Sequence, residues 1–232
     1  MKRALLYMIL GTILLASCQK NDYFEDTGVH EANYEGSMMQ YLRAHPKHFK
    51  KLVEIIDYTH MQEMFEKEDI TFFAPQDVSI DNALDIINAT LYINNIDTIR
   101  DVRDVKPDVW KNYLDLYIID NSYMLKDIAQ VDTTTFRFEG QNFISHNGRV
   151  MNAGVMYHNA GGVEYAGYRM VLYTYIRDFA DVRSTRINVP VSSSNIKPYN
   201  GVVHVLRAKN HVFGFVVEKL YDSIINGGLT ED

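Results

Sequence analysis

The sequence predicts an α+β fold, and two observations carry that prediction. Up to about residue 117 the apolar residues recur at helical spacing around one isolated β-rich run, whereas beyond Val131 the period falls to two in short runs punctuated by glycine and asparagine. Helices first and strands later, without strict alternation, argue against a doubly wound parallel sheet. The expected architecture is a set of N-terminal helices packed against a β-sandwich or wedge of short, mostly antiparallel strands.

The chain opens with Lys2 and Arg3 followed by a mostly apolar run from Ala4 to Leu15. That pattern is an export signal: at 1.5 Å per residue the run reaches about 18 Å, against the roughly 30 Å of hydrocarbon that a spanning helix must cross. Directly behind it, Leu15-Ala16-Ser17-Cys18 resembles the bacterial lipobox, and Cys18 is the only cysteine in 232 residues. A single thiol has no partner for an intrachain disulfide, so the exported fold must hold together by its core. The resemblance implies that residues 1–17 are removed and that Cys18 becomes the lipidated N-terminus, with two or three acyl chains giving stable anchoring. Residues 18–32 then form a polar tether. Gln19 after the cysteine and the acidic "NDYFED" resemble the signals of lipoproteins sent to the outer membrane of Gram-negative cells and on to its outer surface.

Residues 33–226 are expected to form one domain. "SMMQYLRAH" offers Met38, Met39, Tyr41 and Leu42 to one helix face. Pro46 suits the first turn of a second helix that carries Phe49, Leu52, Val53 and Ile56. "THMQ" has the form of a capping box from Thr59 to Gln62, predicting a third helix to about Lys67. "ITFFAP" reads as the first strand, stopped by Pro75, and "DVSIDNALDII" as a helix with Asp77 as its N-cap. A further helix begins at Pro107 or Asp108 and buries Val109, Tyr113, Leu114 and Tyr117. The runs "TTTFRFEG", "NGRVMNAG", "GVEYAGYRMVLYTYIR", "RINVPVSSS" and "GVVHVLRA" follow as strands. "FVVEKLYDSIINGG" closes the chain as a helix ended by Gly227.

A formal net charge of −7 argues against a nucleic-acid partner, which requires clustered Lys and Arg. No G-x-S-x-G, H-E-x-x-H, Walker or G-x-G-x-x-G pattern occurs, so no catalytic residue and no cofactor is assigned. His45 and His48 lie three apart at a helix start, but no third ligand stands at matching spacing, and no metal site is assigned.

Two stretches, "ITFFAPQDVSI" and "NGVVHVL", resemble the paired motifs of the fasciclin-like domain of secreted and surface adhesion proteins. The match runs through Thr71, Phe73, Ala74, Pro75 and Asp77, then through Asn200, Gly201 and His204. The resemblance implies a non-enzymatic surface domain that binds protein or glycan partners in adhesion or surface assembly. An accessory glycan-binding role beside an outer-membrane polysaccharide uptake system is the alternative. Physical chemistry gives the motif residues structural roles, as a strand stop, a helix cap, a tight turn and a core histidine. Where the family often has a Tyr-His pair, this chain reads Tyr117-Ile118, so that mode of binding is not carried over. Residues 140–195 form an enlarged, aromatic insertion. Within it one face of the strand from Tyr168 to Arg177 carries Arg169, Val171, Tyr173, Tyr175 and Arg177. As an outward face, its tyrosines would stack on a ligand and Arg169 or Arg177 would hydrogen-bond to it. The competing arrangement is a strand covered by a helix, with the arginines reaching out to solvent.

Overall fold

A computed structural model describes residues 33–209 and 211–230 of the protein. The signal segment, Cys18 and the acidic tether lie outside the described residues.

Helix α1 (Met38–Ala44) starts at a capping box in which the Ser37 hydroxyl accepts from the Gln40 amide and the Gln40 side chain accepts from the Ser37 amide. Met38, Met39, Tyr41 and Leu42 are buried. Helix α2 (Pro46–Tyr58) has proline in its first turn and buries Phe49, Leu52, Ile55 and Ile56. It kinks at Phe49 (φ −132°, ψ 19°), which leaves the amides just beyond without partners in the helix. The predicted Thr59–Gln62 capping box does not form. The Thr59 hydroxyl donates back to the carbonyls of Ile55 and Ile56 at the end of α2, and helix α3 (Gln62–Lys67) begins after Met61 without a side-chain cap. One hydroxyl serves one helix end, and Thr59 (φ −84°, ψ 1°) lacks the extended backbone of an N-cap.

Strand β1 (Ile70–Ala74) is buried throughout, and helix α4 (Asp77–Ile93) follows. Helix α5 (Pro107–Leu114) buries Trp110, whose indole N–H donates to the Val102 carbonyl at 2.8 Å. The remaining strands are β2 (Ile118–Asp120), β3 (Gln130–Val131), β4 (Gln141–Ile144), β5 (Val150–Tyr157), β6 (Arg169–Ile176), β7 (Arg186–Ile196) and β8 (Gly201–Leu206). A short helix α6 (Val182–Thr185) joins β6 to β7, and α7 (Val217–Ile225) closes the chain, with Gly227 at φ +100° just past its end. "TTTFRFEG" is not a strand: the Asp132 carboxylate accepts from the amides of Thr134 and Thr135, folding that stretch into a turn. Contacts continue past residue 226, where the Lys106 amide donates to Gly228 and the Thr230 amide to Asp104.

The strands form one sheet in the order β2-β1-β8-β7-β6-β5-β3, with β4 also paired to β5. Pairings are antiparallel except β1 with β8 and β3 with β5. Two strands separate β1 from β6, which in a flat sheet would put them about 14 Å apart. Yet Phe73 on β1 and Tyr173 on β6 stack at 3.9 Å between ring centroids. The sheet is therefore curled into a wedge around an aromatic core. The curl carries β2 round to the end of β4, where Ile119 bridges Ser145 and the His146 amide donates to Ile118. Helices packed with a curled, mostly antiparallel sheet are the α+β arrangement that the sequence predicts.

Candidate functional site

The two motif stretches lie side by side as the parallel pair β1 and β8, with Phe73 opposite His204. Each motif side chain is committed to the fold. The Thr71 hydroxyl donates to Asn121 O and accepts from the Tyr123 amide, fixing the turn after β2. Ala74 and Pro75 are buried. Asp77 is the first residue of α4 rather than its N-cap, which is Gln76. Its carboxylate reaches α2 instead and accepts from the amides of Lys51 and Leu52, both at 3.0 Å, capping the half-helix beyond the Phe49 kink.

In the second motif, Asn200 accepts from the Met38 amide and donates to the carbonyls of Phe65 and Glu68, so it ties α1 and α3 to the sheet. Gly201 has φ +122°, and a Cβ there would stand 2.0 Å from Ile70 O. Only glycine lets β8 approach β1 this closely. His204 is fully buried against Phe73; its Nε2 donates to Tyr123 O at 2.9 Å and its Nδ1 accepts from the Asn195 amide at 3.3 Å. Burial lowers its pKa to about 4, so the imidazole is neutral.

The aromatic strand faces the other way from the ligand-stacking expectation. Tyr173 is fully buried between Phe73 and Phe215, and its hydroxyl donates to Leu116 O at 2.5 Å. Tyr175 stacks on Phe215, under the Arg149 guanidinium and the Lys219 ammonium of α7. Arg169 and Arg177 are exposed, but they stand at opposite ends of β6, about 26 Å apart along an extended strand. Arg169 lies over the Tyr157 ring. The four residues therefore form no common surface, because the curled sheet turns the tyrosine face inward and only the strand ends reach solvent.

Another buried pair escaped sequence reasoning. The Tyr117 hydroxyl meets His211 Nε2 at 3.1 Å and accepts from the Gly214 amide at 2.8 Å. Burial lowers His211 to about 3 and raises Tyr117 well above the usual phenol range, so both are neutral. Ninety-four residues separate them, and no local spacing signals their meeting. His45 and His48, by contrast, go to Tyr41 O and the Gln76 amide oxygen.

A group of polar side chains that bond to one another crosses the sheet. Asn142, Asn152, Thr174 and Asn188 are cross-strand neighbours in one row over β4, β5, β6 and β7. Asn152, almost fully buried, donates to Asn142 Oδ1 at 2.9 Å, and Thr174 donates to Asn188 Oδ1 at 2.8 Å. At one end of this row a pocket of about 400 Å³ opens between the turn around Phe136, the strand faces at Asn142 and Arg186, and the β6–β7 connection at Phe179 and Arg183. A second, shallower hollow beside α2 is lined by Glu54, Asp57 and Arg103. Three of its charges have protein partners: Asp57 pairs with Arg43, and Glu54 with Arg103.

A family model for the fasciclin domain matches residues 47–208. A solved structure of a FAS1 domain pair from the insect cell adhesion molecule fasciclin I is similar at 13% identity and a TM-score of 0.45, over 78% of this chain and 53% of that one. The chain thus spans about half the length of that structure. No curated protein matches the sequence.

Proposed function

This chain belongs to the fasciclin domain family, and on that premise we propose that it is a non-enzymatic binding module, carried on the outer surface of a Gram-negative outer membrane by acyl chains on Cys18. There it engages extracellular protein or glycan partners in adhesion or surface assembly. What supports the reading is the fate of the motif residues: Thr71, Asp77, Asn200 and His204 commit their polar atoms to backbone groups of other elements, so the motifs build a scaffold. Partner contacts then fall to the segment between the motifs, where loops vary on a rigid frame. A second reading, an accessory glycan-binding lipoprotein beside a polysaccharide uptake system, is favoured by the row of asparagines leading to an arginine-lined pocket.

The anchor is tested by Cys18→Ala, which should move the protein from the membrane fraction to the soluble one. Unchanged fractionation, with no lipid mass on the N-terminal peptide, defeats that part. The binding role is tested with the full chain on glycan arrays and immobilised extracellular-matrix proteins. Failure to retain any partner on either defeats the module reading.

A further inference from the structure

We propose that the pocket around Arg183 and Arg186 binds a saccharide bearing a carboxylate, such as a uronic acid unit; this rests on the binding-module reading above and gives it a ligand class. Its volume of about 400 Å³ is within the range of roughly 300–1,000 Å³ that small-ligand sites occupy.

The two guanidinium groups are the first argument. Both lie over the Phe136 ring, Arg183 at 4.9 Å and Arg186 at 5.9 Å from its centroid. The ring's π-system thus holds two like charges close together in the pocket lining. Among the described residues neither arginine has a carboxylate within ion-pair distance. Among the described residues the single hydrogen bond of the Arg186 side chain is a long one, 3.4 Å to Asn152 Oδ1, and its buried Nε has no partner. Buried polar groups are normally satisfied, so this guanidinium is held short of acceptors. Phe136 sits at φ +56°, a backbone conformation costly for a bulky side chain, so the surrounding structure fixes the ring that positions both cations. A carboxylate is the planar acceptor that a guanidinium fork grips in two places.

The remaining lining argues for a sugar rather than a bare anion. Asn142 lines the pocket and receives the Asn152 amide on its oxygen, which leaves its own NH₂ group to serve as a donor for a hydroxyl. Glu139 stands exposed on the rim, where its charge acts on Arg186 and its carboxylate can accept from hydroxyl groups. The other rim carboxylate, Asp181, is engaged by the amide and hydroxyl of Ser184. Phe179 is half exposed and offers a flat apolar surface to the C–H face of a pyranose. A small inorganic anion would leave both the amide and this ring unused.

The test is titration calorimetry of the full chain with oligosaccharides of glucuronic, galacturonic and mannuronic acid, and with their methyl esters. At least one uronate should bind, its methyl ester should bind at least tenfold more weakly, and Arg183→Gln and Arg186→Gln should each weaken the uronate at least tenfold. Arg183 is exposed, so its variant keeps the test sound even if Arg186→Gln fails to fold. The proposal is overturned if no uronate binds, if the ester binds equally well, or if Arg183→Gln binds as the wild type does. If uronates fail while an array or matrix partner is retained by wild type and Arg183→Gln alike, the pocket falls and the module reading stands. If nothing binds in either experiment, both fall.

Discussion

Acidification should destabilise this protein well before its carboxylates are protonated, and two histidines set the size of the effect. His204 and His211 are buried and neutral, with pKa lowered by burial from 6.5 to about 4 and about 3. In the unfolded chain both return to the ordinary value and take up protons first. Between pH 6.5 and pH 4 the unfolded state therefore binds more protons than the folded one, and stability falls as pH falls. At pH 5 each histidine favours the unfolded chain by about 2 kcal/mol, and this figure is insensitive to the folded value once that lies well below 5. The pair removes about 4 kcal/mol from a domain whose whole stability is of the order of 5–15 kcal/mol. Urea denaturation followed by circular dichroism, repeated from pH 8 to pH 5, measures the loss directly. His204→Gln should melt lower than the wild type at pH 8, since the Tyr123 and Asn195 contacts are disturbed, but it should lose only about half as much stability on acidification. A wild type equally stable at pH 8 and pH 5 would refute the argument, as would a His204→Gln protein with an unchanged slope.

Tyr173→Ala should cost about 3–5 kcal/mol and Tyr173→Phe about 1–2 kcal/mol, because the first empties a core position and the second leaves Leu116 O without its donor; under about 1 kcal/mol for the alanine variant in urea denaturation would contradict burial of that face. Gly201→Ala places a Cβ 2.0 Å from Ile70 O at φ +122°, and differential scanning calorimetry should show a loss of at least about 3 kcal/mol or no folded protein; a wild-type melting temperature would refute the close β1–β8 approach. Asp77→Ala removes the acceptor for two α2 amides and should cost about 1–2 kcal/mol while speeding hydrogen exchange at Lys51 and Leu52. Exchange unchanged at those two amides would show that the kinked helix is capped in some other way.

What the sequence made legible was whatever depends on neighbours in the chain. The Met38–Leu42 face, Pro46 at a helix start, the "ITFFA" strand and the glycine turn at 200–201 are local patterns, and the structure contains each. Partner choice across the fold was not legible. Asp77 has the identity of a cap, but the helix that it caps lies 25 residues back, because the Phe49 kink exposes amides that no periodicity announces. Likewise Thr59 and Gln62 fit a capping box in spacing, yet the hydroxyl completes the preceding helix. The direction of β6 was ambiguous because its centre is buried on both faces, from Val171 to Ile176; alternation assigns an outside only where one face meets water. The arginine pocket has no sequence pattern either, since it joins a turn at 136, four strands and a connection at 179–183. Its one local hint is Arg183 and Arg186, three residues apart at the end of the β6–β7 link.

The parallel pairing of β1 with β8 also sets when this domain can fold. Ile70 is aligned with Gly201 and Ala74 with Val205, partners about 130 residues apart. Such long-range pairing raises contact order, which places folding toward the slow end for single domains. A chain still emerging from a ribosome or a translocation pore holds β1 with one side vacant until residue 206 is out. Over that interval five consecutive residues that end up buried, Ile70 to Ala74, are available to any other strand. Protection of this one segment, by a chaperone or by rapid passage, is thus the condition on which a high yield of folded protein depends.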